Sequence, residues 1–139
     1  MKNQKAYKIA ERVAQLAVAI ILIQTLRFKF TAHPDSVFIF SQMGIEPYGR
    51  IVIGIAELIA GILVVIPKTV WIGALLSLGL MGGAILSHLT ILGIEVQQDN
   101  GALFITAIVT FLSSLFIIWI HRNTVLSIFN PVLNKEVYR

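Results

Sequence analysis

The chain has 139 residues, 57% of them hydrophobic and only 13% charged, with a mean hydropathy of +0.85. A soluble domain carries about 25% charged residues, so this balance excludes an ordinary water-soluble globule and names lipid as the solvent. Cysteine is absent, which excludes disulfides, a thiolate nucleophile and Cys-ligated metal from this chain.

Four apolar runs follow one another: Val13–Phe30, Tyr48–Ile66, Val70–Leu92 and Ala102–Ile120. Each is close to the roughly 17–25 residues a helix needs to cross the hydrocarbon core. None alternates in polarity as a barrel strand would, and backbone groups inside lipid must be satisfied within the segment, so the runs are read as helices. The expected fold is all-α: a single-domain, polytopic four-helix transmembrane bundle with spans at about 13–30, 48–66, 70–92 and 102–120. The first run carries Gln15, Gln24, Arg27 and Lys29. It follows Lys2, Lys5 and Lys8, as a signal peptide would, but no small-residue cleavage site closes it, so it is kept as a span.

The outer loop, 31–47, is long, and its middle, Val37 to Phe40, is too apolar to stand in water. It is expected to form a short interfacial segment or a lid over the bundle, starting at Pro34-Asp35 and ending at Met43-Gly44. Pro67-Lys68-Thr69 reads as a tight turn that makes the second and third spans antiparallel neighbours. The short polar loop from Glu95 to Gly101 does the same for the third and fourth. Lys135 to Arg139 reads as a solvated tail.

Basic residues set the orientation. Lys2, Lys5, Lys8, Arg12, Lys68, Arg122, Lys135 and Arg139 fall on one side, against Arg27, Lys29 and Arg50 on the other. Eight against three places both termini in the cytoplasm of a bacterial cell whose inner membrane the chain crosses. The lipid bilayer is the partner this implies, a second copy of the chain is open, and no nucleic acid is expected.

The chemistry-bearing residue is Glu57. At about 1.5 Å per helical residue it lies roughly 13 Å below Tyr48, near mid-membrane. A carboxylate there costs several kcal/mol unless it has a partner or a task. Lys29, Arg27 and His88 are the candidate partners. His88 lies roughly 6–9 Å below the outer surface, and Thr106, Asp99 and Asn100 lie near the outer end of the fourth span. Polar groups thus gather in the outer half. Helical phase places Gly54, Glu57 and Gly61 on one face of the second span, and Gly73, Ser77, Met81, Ala84 and His88 on one face of the third. Thr106, Thr110 and Ser113 would line the fourth, and Ala17, Gln24 and Arg27 or Phe28 the first. Small residues let membrane helices approach, and polar ones bridge them. Ligand-binding or proton-exchange candidates are therefore Glu57, His88, Lys29, Arg27, Gln24 and Thr106. Trp71 reads as an interface anchor. His88 and His121 stand at different depths and cannot share a haem, and His33 meets His88 only if the outer loop folds in. No phosphate loop, catalytic triad or metal-spaced cluster appears.

In this order of residues the chain resembles the DoxX-like membrane family. The resemblance rests on Lys29 in Leu26-Arg27-Phe28-Lys29-Phe30, on Glu57 between Gly54 and Gly61, and on His88 closing Gly83 to His88, and it covers Val13 to His121. The family's usual glycine before the lysine is missing; Gln24-Thr25-Leu26 stands there, and Arg27 is an addition. The resemblance implies a redox-associated or assembly-associated subunit, since some members resemble subunits of thiosulfate:quinone oxidoreductase and others are membrane scaffolds. Three uses of the site follow. The first is a quinone or other hydrophobic ligand held in the outer half for a redox partner, with no cofactor encoded in the chain itself and no enzyme activity of the chain alone. The second is a non-catalytic scaffold or assembly factor with Glu57 as internal glue. The third is proton-coupled transport of a small solute.

Overall fold

The computed structural model describes residues 2–129, and every regular element among them is helical. The tail from Lys135 to Arg139 lies outside the described residues. Helix α1 spans Lys2–Phe30, α2 Pro34–Gln42, α3 Tyr48–Leu63, α4 Val70–Ser87, α5 Ala102–Ile120 and α6 Arg122–Phe129. The helix of α4 continues as a π-helical turn, His88–Leu92.

Three helical stretches are long and apolar enough to cross a membrane: Asn3–Phe30, Val70–Leu92 and Ala102–Ile120. The fourth expected span is shorter than its apolar run. Helix α3 has 16 residues, because the chain leaves α-helical geometry at Val64. There Val65 N–H donates to the Ile62 carbonyl and Ile66 N–H to the Leu63 carbonyl, tight i to i−3 bonds that turn the chain toward α4. Hydropathy sees Val64, Val65 and Ile66 as continuing the span, but the backbone does not.

Helices α1, α3, α4 and α5 pack in a ring, each against the next and α5 back onto α1. The buried core is Val18, Ala19, Leu22, Ala60, Val64, Val70, Ala74, Met81, Ala107 and Ile117. Leu, Ile, Val and Phe cover the outside of the ring, as for helices solvated by acyl chains. The turn between α3 and α4 is as tight as expected: Thr69 Oγ1 donates to the Leu63 carbonyl at 3.0 Å. Gly73 makes this turn possible, since an added Cβ would collide with the backbone nitrogen of Val64. Deeper in the ring, Ser114 Oγ donates to Ser77 Oγ at 2.9 Å and ties α5 to α4.

Helix α2 is the expected short segment, and it starts and ends where the sequence placed it. Pro34 occupies the first turn, the His33 side chain accepts from Asp35 N–H, and Met43 and Gly44 close the helix, Gly44 at φ +70°. It lies against α1, α3 and the π-helical turn, with Ser36 and Phe40 buried, so it covers one end of the ring.

Candidate functional site

Glu57 is buried on the ring-facing side of α3, 4% exposed. Two groups of α1 reach it, one helical turn apart. Lys29 Nζ stands 2.9 Å from Glu57 Oε2. The Thr25 hydroxyl lies 3.0 Å from the same oxygen and shares its proton with the Leu22 carbonyl. Gly54, one turn before Glu57, leaves room for the Phe30 ring and the Lys29 Cβ, so α1 can come close enough for the ion pair. Both protein contacts fall on Oε2. No described residue donates to Oε1, yet no buried side-chain nitrogen or oxygen is left without a partner among the described residues, so Oε1 is not sealed inside the protein.

A second ion pair braces the first. Arg50, buried at the start of α3, donates from Nε to Glu46 Oε1 at 2.8 Å and from Nη2 to the same oxygen at 2.8 Å. Its Nη1 donates to the Lys29 carbonyl. That carbonyl belongs to the last turn of α1, where no helical N–H is left to pair with it and where a cation is favoured. Arg50 therefore holds the backbone of the same residue whose side chain meets Glu57.

His88 goes elsewhere. Its Nδ1 is 2.7 Å from the Gly93 carbonyl, which only accepts, so Nδ1 carries the proton. The ring packs on Phe104 of α5, centroids 5.5 Å apart. It faces the α4–α5 loop, where Asp99 organises the backbone. Asp99 Oδ1 accepts from Val96 and Gly101 N–H and Oδ2 from Leu103 N–H, each at 2.9 Å. The loop it holds carries Gln97, Gln98 and Asn100 at positive φ. Partial burial works against the Asp99 charge. The three N–H groups, with His88 nearby, outweigh it and hold the carboxyl below its ordinary value.

The remaining candidates are scattered. Gln24 and Arg27 are exposed on the outside of α1, where a long cationic side chain reaches toward the headgroups. The expected inward stripe of Ala17, Gln24 and Arg27 or Phe28 is thus out of phase. The buried face of α1 is Gln15, Val18, Ala19, Leu22 and Leu26. Thr106 is half-buried and donates to carbonyls of its own helix, Ala102 and Leu103. On α5 the buried serine is Ser114, beside the expected Ser113. The stripes on α3 and α4 stand as read, with Gly54, Glu57, Gly61, Gly73, Ser77, Met81 and His88 buried and Ala84 half-buried. His33 caps α2, and His88 and His121 stand at opposite ends of the ring. Among the described residues no three His, Asp or Glu side chains converge in a metal-ligand arrangement.

Thr25 and Arg50 were missed as site residues. The signal for Thr25 was its position four residues before Lys29, on the same helical face. For Arg50 it was Glu46 at the i−4 position.

The model of the DoxX-like family matches residues 13–116. The chain belongs to the DoxX-like family. No curated protein and no solved structure matches it. The matched region of this DoxX-like chain takes in Thr25, Lys29, Arg50, Glu57, His88 and Asp99, and ends before His121. It is a multi-pass membrane protein on both counts, family and helices.

Proposed function

We propose that this DoxX-like chain is a redox-associated membrane subunit that holds a lipid-soluble ligand of the quinone class against Glu57. One observation carries the reading: Lys29 and Thr25 both converge on Oε2 and leave Oε1 as an acceptor with no donor from the described residues. A hydroxyl of a reduced, hydroquinone-like ligand would donate to Oε1, opposite the Lys29 and Thr25 contacts. Electrons would come from a partner protein, since the chain encodes no carrier. His88, bonded to Gly93, is outside this proposal's contact set.

A second reading, a non-catalytic scaffold, is favoured by the double tie between Lys29 and α3. Side chain to Glu57 and carbonyl to Arg50 together fix helix register, with no ligand required.

The test purifies wild type and Glu57→Gln in mild detergent and extracts bound small molecules for mass spectrometry. A quinone near one per chain, lost in the variant while the protein stays folded, supports the ligand reading. Bulk lipid alone in both, with a lowered melting temperature in the variant, supports the scaffold.

A further inference from the structure

The end of the ring opposite Lys29 carries a second feature. An open groove of about 360 Å³ runs between the start of α1 and the end of α5, lined by Asn3, Ala6, Tyr7, Ala10 and Phe116. Its shape follows from the sequence. Ala6 and Ala10 are small residues one turn apart, so the α1 wall is hollow between Asn3 and Phe116. The floor is apolar, and Asn3 gives it one polar end.

An aromatic cluster flanks the groove. Trp119 lies 6.2 Å from Tyr7 and stacks on Phe116, also at 6.2 Å between centroids. The Arg122 guanidinium sits 5.2 Å over the Trp119 ring and donates from Nη1 to the Trp119 carbonyl at 2.9 Å. Tyr and Trp mark the headgroup level of a membrane helix. The groove therefore runs from headgroup depth, at Asn3, into the top of the acyl region, at Ala10 and Phe116.

Charge at this end is one-sided. Lys5, Lys8, Arg12, Lys68 and Arg122 are exposed. Among the described residues, the acid at this end is Glu11, and it is turned onto the ring. Its Oε1 accepts from His121 Nε2 at 2.7 Å and from Gln15 Nε2 at 2.8 Å. Cations face the headgroups, and the carboxylate is taken up inside.

We infer that this groove binds one anionic phospholipid, its acyl chain along Ala6, Ala10 and Phe116 and its phosphate beside Arg122. The combination is what a lipid of that charge needs: an apolar channel at the right depth, aromatic walls, and an exposed cation oriented by its own ring and carbonyl contacts.

The full chain, purified in detergent, is titrated with phosphatidylglycerol or phosphatidylcholine, and retained lipid is counted by native mass spectrometry. Wild type should retain one phosphatidylglycerol in preference to phosphatidylcholine. Arg122→Gln should weaken that retention about fivefold, the loss expected for one surface cation. Ala6→Trp should fill the groove and abolish it, with Ala10→Leu as the substitute if Ala6→Trp does not fold. Lys68→Gln, a cation on the α3–α4 turn, should leave it unchanged. Equal retention of the two lipids overturns the inference. So does a groove-filled variant that keeps the wild-type preference, because surface charge alone would then account for it.

Discussion

Helix α1 is held at both ends by an acid–base pair, and the two pairs are built differently. Near its C-terminus, Lys29 meets Glu57 of α3 with side chains 13% and 5% exposed. Near its N-terminus, Glu11 meets His121 beyond α5 with side chains 18% and 24% exposed. Distances are similar, 2.9 Å and 2.7 Å. What differs is the surrounding medium. The first pair has backbone and hydroxyl groups packed about it and little water, so each charge depends on the other. The second touches the membrane surface, where water and salt offer each partner a substitute. The first also lies inside the region matched by the DoxX-like family, and both residues of the second lie outside it. A contact of one length can therefore be indispensable or marginal according to depth.

Breaking the buried pair from one side should give the largest effect. Lys29→Met removes the cation that faces buried Glu57, and should destabilise the chain by about 3–5 kcal/mol. Adding Glu57→Gln to Lys29→Met should recover most of that loss, because a neutral pair no longer needs a counter-charge. Melting of wild type, single and double variants in one detergent measures both steps. A double variant as unstable as the single one would mean that the ion pair is not what joins α1 to α3.

The ring between the two pairs provides a purely steric comparison. Gly73→Ala pushes a methyl group into the backbone of Val64, and should cost about 1–3 kcal/mol by overpacking. No salt or pH dependence is expected, and melting at two ionic strengths checks this.

Asp99 gives a pH-dependent case outside the spans. Its carboxyl is held below the ordinary value in the folded chain. Ionised Asp99 therefore stabilises the loop in full above the unfolded value of about 4. That contribution is lost as pH falls through the lowered folded value. Asp99→Ala should cost about 1 kcal/mol at neutral pH, because the Val96, Gly101 and Leu103 N–H groups lose their carboxylate acceptor. It should also flatten the acid limb of the melting-temperature profile below about pH 4.

The half-buried pair should be the weaker of the two. Glu11→Gln should cost no more than about 1 kcal/mol. Raising the salt concentration should shrink the difference between variant and wild type, because screening reaches this pair and not the buried one.

How well the sequence revealed all this depended on how unusual each polar residue was among its neighbours. On α3 and α4, one carboxylate, one histidine and a few glycines and serines interrupt long aliphatic runs, so their helical spacing identified the inward face. On α1 polar side chains occupy both faces. Gln24 and Arg27 point outward near the membrane boundary, where a polar group costs little, and Gln15, Thr25 and Lys29 point inward. Polarity then carries no phase, and the stripe was misplaced. On α5 the adjacent Ser113 and Ser114 differ by about 100° around the helix, and periodicity alone does not choose between them. Arg50 was legible as a charge that orients the chain, but its bond to the Lys29 carbonyl depends on where two helix ends meet. Asp99 could be placed at a helix start, but its three backbone bonds depend on the left-handed residues around it.

The early end of α3 reaches past the protein. Its 16 residues make a rod of about 24 Å, against a hydrocarbon layer of about 30 Å. Helix α1 beside it has 29 residues, of which the apolar run is Val13–Phe30. Lipid beside α3 is expected to thin by a few ångströms or the flanking side chains to reach outward, at a fraction of a kcal/mol per ångström of mismatch.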